Sequence, residues 1–275
     1  MRVLFLGDVV GRDGRRAVIE QLPQLRETYD LDFVIVNADN AAGGFGITED
    51  ILMSLIDAGA DVVTGGDHIW DQRDALVFIE RHPQLLRPIN FPSGVAGRGA
   101  SIFRSAKGQD VLVIHAVGRV FMPEMDCPFA AIEREIEMSP LGSMVDAVLI
   151  DFHAEATSEK QAMGHFVDGR ASMVVGTHTH APTSDGRVLT GGTAFLTDAG
   201  MCGCYDSVIG MDAEEPIERF VTRVPKGRFS PKVGDVTLAG FCVEVDDKTG
   251  LAIEAKELRL GGHLSRSEPL FWVSS

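Results

Sequence analysis

The sequence predicts an α/β fold in which two packed sheets carry helices on their outer faces. Three observations predict it. Through the first two-thirds of the chain, short β-rich runs alternate with stretches of helical periodicity. After Gly176 the texture changes to strand-like runs separated by turn residues, the mark of antiparallel pairing. The earlier runs also end repeatedly in Gly, Asp, Asn or His. No repeat, low-complexity segment or linker breaks the chain, so one domain over 1–275 is expected.

Residues 3–6 (VLFL) read as the first strand. Over 15–28, Val18, Ile19, Leu22 and Leu25 recur at helical spacing and predict a helix. Residues 33–36 are the next strand, followed by a glycine-rich loop at 41–46. Thr48 is placed to cap a helix running through Ala58, because its hydroxyl can accept from a free N–H of the first turn. Residues 61–64 form a third strand and 70–81 a third helix. Further strands are expected at 111–115, 147–151 and 173–176, with an S-x-x-Q capping box at Ser158 and Gln161 opening a helix. Beyond Gly176, antiparallel strands are expected at 188–189, 194–197, 236–245 and 251–258, the last two joined by a hairpin turn over 247–250.

Composition narrows the functional classes. No apolar run approaches the ~18 residues of a membrane span. Residues 3–6 are too short for a signal-peptide core, so a cytoplasmic protein without a membrane partner is expected. Four cysteines, none in a CxxC pair, do not make a disulfide framework, and Cys202 and Cys204 read as loop or core thiols. The net charge of −15 repels duplex nucleic acid, and the basic stretch 223–232 is short, broken by Pro and Gly, and reads as a solvated loop. A small anionic substrate fits such a chain only if cations sit in the site, and metal ions are the natural ones.

The strand ends supply their ligands. Residues 3–6 run into Asp8, 33–36 into Asn37, Asp39 and Asn40, and 61–64 into Asp67 and His68. Likewise 147–151 run into His153, and 173–175 into His178 and His180. Singly, each Asp or Asn is an ordinary turn residue and each His an ordinary core residue. Together they place four of the eight histidines at carboxyl ends of strands, the edge where α/β sheets bind ligands. Oxygen and imidazole donors without thiolate suit Fe, Mn, Co, Ni or Zn, and they outnumber the needs of one four-coordinate zinc, so two ions are expected. His178 and His180, separated by a single residue, are expected to serve different ions.

At these residues the chain resembles the calcineurin-like metallophosphoesterases, whose motif blocks are D-x-H, G-D-x-x-D, G-N-H-[DE], H and G-H-x-H. It is more closely similar to their YmdB-type branch of bacterial cyclic-nucleotide phosphodiesterases. The matching stretches are GDVVGRDGR (7–15), NADNAAGGFGIT (37–48), TGGDHIWD (64–71), DFHAEATSEK (151–160), VVGTHTHAPT (174–183) and TDAGMCG (197–203). The resemblance implies a four-layer αββα sandwich and a two-metal site, with iron the first expectation and manganese or zinc the alternatives. One ion would take Asp8, Asp39, Asn40 and His180; the other would take Asp39 as bridge, Asp67, His153 and His178. His68 would protonate the leaving alkoxide after attack by a metal-bridging hydroxide.

The implied substrate is a small phosphodiester, a 2′,3′- or 3′,5′-cyclic nucleotide, with a broad phosphomonoesterase or a metal-binding regulatory protein as alternatives. A homo-oligomer is left open. Like the branch, the chain lacks the DxH histidine, having Val10 there, with Asn40 taking up the role. It departs from the branch in having Asp39 for Glu and Asp67 for Asn. A third carboxylate lowers the net positive charge of the site, which weakens its pull on phosphate and its acidifying effect on bound water. Asp67 is therefore expected to lower activity near neutral pH or to favour a trivalent iron. His115 is expected to be structural. Trp70 is read equally as a base platform or a core residue, and Gly43, Gly44 and Gly46 equally as substrate approach or turn.

Overall fold

The structure, a computed structural model, describes residues 1–272; residues 273–275, the end of the expected 1–275 domain, lie outside it. The chain forms β1 (Arg2–Leu6), β2 (Asp8–Val9), α1 (Gly11–Tyr29), β3 (Phe33–Asn37), α2 (Glu49–Asp57), β4 (Val62–Thr64), α3 (Ala75–Phe78) and β5 (Leu85–Leu86). Next come β6 (Ala100–Arg104), β7 (Asp110–Val117), α4 (Pro128–Met138), β8 (Ala147–His153), α5 (Thr157–Phe166) and β9 (Met173–Thr177). The rest comprises β10 (Arg187–Val188), β11 (Ala194–Leu196), β12 (Met201–Cys204), α6 (Glu214–Thr222), β13 (Val236–Val245) and β14 (Ala252–Leu260).

Two sheets result. One has the order β2-β12-β13-β1-β3-β4-β5, with β14 also paired to β13; the other has the order β10-β11-β9-β8-β7-β6. Strands β1, β3, β4 and β5 are parallel in the first, and β7, β8, β9 and β11 in the second. Period-2 alternation sends Val3, Phe5, Phe33 and Ile35 of one sheet against Val111, Val113, Leu149 and Val175 of the other. The opposite faces pack against helices: Leu4, Leu6, Val34 and Val36 meet Val18, Leu22 and Leu25 of α1 and Leu52 and Leu55 of α2. Leu112, Ile114, Val148 and Ile150 meet Ile132 and Ile136 of α4 and Met163 of α5. Helix, sheet, sheet and helix make the four layers of an αββα sandwich. The parallel strands are mostly apolar because both their faces are covered, most of their polar residues gathering toward their carboxyl ends.

Several local expectations change. The helix expected over 70–81 shrinks to the four residues of α3. Successive tight turns precede it, while the Asp71 carboxylate is drawn to His68 and the Gln72 amide donates to the Phe45 carbonyl. Ser158 caps nothing, since α5 begins a residue earlier after Ala156. Its neighbour Glu159 turns away to accept from the N–H groups of Arg119 and Val120. Strand β11 pairs parallel with β9 as well as antiparallel with β10, so the chain beyond Gly176 is not purely antiparallel. Thr48 does cap α2, accepting from Ile51 N, and Gly250 N closes the β13–β14 turn onto Asp246 O. Among the described residues no helix is long and apolar enough to cross a membrane.

Candidate metal centre

The carboxyl ends of β1, β3 and β4 in one sheet and of β8 and β9 in the other come together at one edge of the sandwich. The donors therefore come from two sheets, where the strand-end pattern had suggested the edge of one. Asp8, Asp39, Asn40, Asp67, His153, His178 and His180 all lie there, and His68 stands beside them.

The buried side gathers Asp8, Asn40 and His180. The Asn40 amide donates through Nδ2 to Gly44 O, which aims Oδ1 inward, 3.1 Å from His180 Nε2. His180 Nδ1 is 2.7 Å from Ile209 O, so that nitrogen carries a proton, and a neutral imidazole presents Nε2 as a bare lone pair. Asp8 Oδ1 is 3.8 Å from the same Nε2. Burial without a compensating positive charge pushes the Asp8 carboxyl above its ordinary range, despite the nearby His180 and His153.

The second cluster centres on His153. Its Nε2 is 3.0 Å from Asp67 Oδ1, 3.1 Å from His178 Nδ1 and 3.4 Å from Asp39 Oδ2. Donors of Asp67, His153 and His178 lie within 4.8 Å of one another, as do those of Asp39, Asp67 and His68. Burial opposes charge on both members of the Asp67–His153 pair. Their partners outweigh it: His153 and His178 hold the Asp67 carboxyl below its ordinary range, and the Asp39 and Asp67 carboxylates hold the His153 imidazole well above its own.

A cation fits these donors. Asp8 Oδ1 and Asp39 Oδ2 are buried without a hydrogen-bond partner among the described residues, although buried polar atoms are otherwise nearly always satisfied. Donor separations near 3 Å suit neighbouring ligands on one ion with bonds of about 2.0–2.2 Å. No thiol competes for it: Cys202 is buried and directed at Ala239 O, and Cys204 is buried away from the cluster in β12.

His178 and His180 are not extended. Strand β9 stops at Thr177, and both histidines adopt left-handed backbone, with φ of 95° and 62°. Such a conformation costs on the order of 1–3 kcal/mol per residue and needs support. Thr179 between them supplies it, donating through both N–H and hydroxyl to Asp198, which the buried Lys160 ammonium neutralises at 2.6 Å. Residues two apart on an extended strand would share one face, so it is this turn that makes the two imidazoles diverge: His178 joins His153 and Asp67, and His180 joins Asn40.

His68 lies half-buried at the rim. Its backbone N–H donates to Asp39 Oδ1, and its Nδ1 is 2.8 Å from Asp71 Oδ2. Burial would lower its pKa, but the charges of Asp39 and Asp67 and the bond to Asp71 raise it. The edge of its ring meets Phe45 at 5.1 Å between centroids. Above the donors opens a cavity of about 700 Å³ lined by Asp39, Asn40, His68, His178 and His180 on its floor. Its walls are Phe45, Ile209, Met211, Arg219, Phe220, Arg223 and Phe229.

That wall was missed in the sequence. Residues 223–232 had read as a solvated loop, yet Phe229 lies under the Arg219 guanidinium at 4.0 Å and both face the cavity. Glu155, 3.4 Å from His178 Nε2, was missed too, as was Asp71, whose i+3 spacing from His68 was the available signal. His115 is structural as expected, wholly buried with Nε2 against Gly65 O and Nδ1 against Asp151. Trp70 packs against Phe91 in the core and does not line the cavity. Gly44 and Gly46 serve the turn, at φ of 97° and 71°. A Cβ on Gly46 would meet the His68 carbonyl, and one on Gly44 the Met211 side chain.

Fold and donor set define a protein of the metallophosphoesterase type. More narrowly, the chain belongs to the YmdB-like protein family, whose pattern matches residues 4–258. It is 46% identical over 258 residues to the Bacillus subtilis (strain 168) 2′,3′-cyclic-nucleotide 2′-phosphodiesterase, covering 94% of this chain and 96% of that one. Its fold is similar to the crystal structure of a hypothetical protein from Thermus thermophilus, with a TM-score of 0.88 and 38% identity over 96% of this chain and 100% of that one. It is also similar to a phosphatase structure from Mycoplasma pneumoniae, with a TM-score of 0.87 and 33% identity over 100% of this chain and 97% of that one.

Proposed function

We propose that this protein is a two-metal phosphodiesterase that opens small cyclic nucleotides, 2′,3′-cyclic forms foremost. The observation that carries the reading is the pair of orphaned buried carboxylate oxygens, Asp8 Oδ1 and Asp39 Oδ2, among imidazole and amide donors at the floor of a cavity of nucleotide size. Asp8, Asp39, Asn40 and His180 would hold one ion, and Asp39, Asp67, His153 and His178 the other. Bound there, the ions supply an activated water and neutralise the phosphate oxygens.

The chain's own groups do the rest. Asp71 holds His68 by Nδ1, which leaves Nε2 for the departing ribose oxygen, and that nitrogen delivers the proton the alkoxide needs. Phe45 and Phe220 offer faces on which a base can stack, and Arg219 and Arg223 bring positive charge to the wall of a strongly acidic protein. The floor excludes water from the donors except through the cavity, because Asp8, Asp39 and His153 are buried.

The phosphatase name of the Mycoplasma pneumoniae relative supports a second reading, a phosphomonoesterase. Turnover of bis-p-nitrophenyl phosphate against p-nitrophenyl phosphate, alongside a panel of 2′,3′- and 3′,5′-cyclic nucleotides, separates the two. Faster hydrolysis of the diester is expected; a preference for the monoester would sink the diesterase reading.

A further inference from the structure

We infer that Thr177 and Asp151 are positioning residues that fix the His153 imidazole with its proton on Nδ1, so that Nε2 is the atom offered to a cation. The inference rests on the metal-centre reading and is independent of the choice of substrate.

Strand register creates the arrangement. In the β8–β9 pair His153 lies opposite Thr177, and in the β7–β8 pair Asp151 lies opposite His115. Asp151 and His153, two residues apart on one strand, share a face. Asp151 is wholly buried and surrounded by donors: Asn37 Nδ2 at 2.9 Å, Thr64 Oγ1 at 2.6 Å and Thr177 Oγ1 at 2.7 Å. The Asn37 amide cannot be turned around, because its Oδ1 accepts from Asp39 N. Asp151 is therefore an acceptor at both oxygens.

The consequence passes through one hydroxyl. Thr177 has a single proton and gives it to Asp151 Oδ1. Its oxygen is 2.9 Å from His153 Nδ1, and having no second proton it can only accept there. Nδ1 therefore carries hydrogen. The other ring nitrogen, Nε2, faces Asp67 Oδ1 and Asp39 Oδ2, and any proton on it is the one a cation displaces. Asn37 and Thr64 belong to one sheet and Asp151 to the other, so the contact that latches the two sheets at this edge also orients a ligand.

Thr177→Val keeps the shape and removes the hydroxyl, whereas Thr177→Ser keeps the hydroxyl. Equilibrium Zn²⁺ binding to metal-stripped protein should weaken about 10–100-fold in the valine variant, the usual cost of losing such a partner, and recover in the serine variant. In Zn²⁺-loaded wild-type protein carrying ¹⁵N-histidine, His153 should show a protonated Nδ1 and a metal-bound Nε2, a readout that requires no variant to fold. Unchanged Zn²⁺ affinity in Thr177→Val, a serine variant as weak as the valine one, or zinc bound through Nδ1 would each overturn this inference alone. A wild-type protein that takes up no Zn²⁺ would overturn the metal-centre reading together with it.

Discussion

The floor and the wall of the cavity are built by different physics. The floor consists of donors at the ends of parallel strands, each side chain locked by backbone register and a specific hydrogen bond: Asn40 to Gly44, His180 to Ile209, His153 to Thr177. The wall rests on α6, whose first turn is acidic and whose Phe220 and Val221 are 75% and 76% exposed. Its ties are lighter, chiefly Arg219 paired with Glu215 and stacked over Phe229. The difference teaches that the site separates chemistry from selection. A floor fixed by strand register and specific hydrogen bonds suits metal coordination, which tolerates little error, while an exposed apolar wall can change without disturbing the core.

The sharpest way to break that separation is to remove Asp39, the carboxylate proposed to be shared. Asp39→Asn should abolish both bound metal and turnover, read by metal analysis beside a bis-p-nitrophenyl phosphate assay. Metal retained in full would show that Asp39 is not shared by the two ions. His68→Ala should lower turnover by ~10²–10⁴ with metal content intact, because a general acid contributes about that much. Loss of metal in that variant would move His68 into the floor as a ligand.

On the wall, Phe220→Ala should raise KM for a 2′,3′-cyclic nucleotide by roughly tenfold, since base stacking is worth ~1–3 kcal/mol. It should leave the melting temperature and the turnover of bis-p-nitrophenyl phosphate nearly unchanged, as the residue is exposed. A fall in stability instead would make the wall part of the core. The smallest change expected is in Asp67→Asn. Replacing that carboxylate by an amide adds one unit of positive charge to the loaded site, makes bound water more acidic, and should shift the acidic limb of the pH–rate profile downward. An identical profile and identical metal content would remove Asp67 from the electrostatic account.

Much of the floor is legible in the sequence because its signals are local. Val236–Val245 and Ala147–His153 announce themselves as continuous β-rich apolar runs, and a ligand placed just after such a run has its position set by the strand's end. Helices α4 and α6 were missed although each carries a signal, Pro128 at the first helical position and Glu214 and Glu215 in the first turn. The expected capping box at Ser158 failed because the helix starts ahead of it, after Ala156, and the expected helix over 70–81 failed because His68 and Phe45 claimed Asp71 and Gln72.

The sequence by itself determined the α/β class, two packed sheets with outer helices, and the donors Asp8, Asp39, Asn40, Asp67, His153, His178 and His180 with His68 beside them, but not Asp71 or Glu155. These follow from periodicity and composition, which act over a few residues. Only the tertiary structure decided which donors are neighbours, that Thr177 and Asp151 stand behind His153, that Asp198 and Lys160 support the turn carrying His178 and His180, and that α6 walls the cavity. Those facts depend on strand register and on the packing of one sheet against the other. Register sets His153 beside Thr177, the packing of the sheets brings together residues as far apart as Asn37 and Asp151, and no short window of sequence records either.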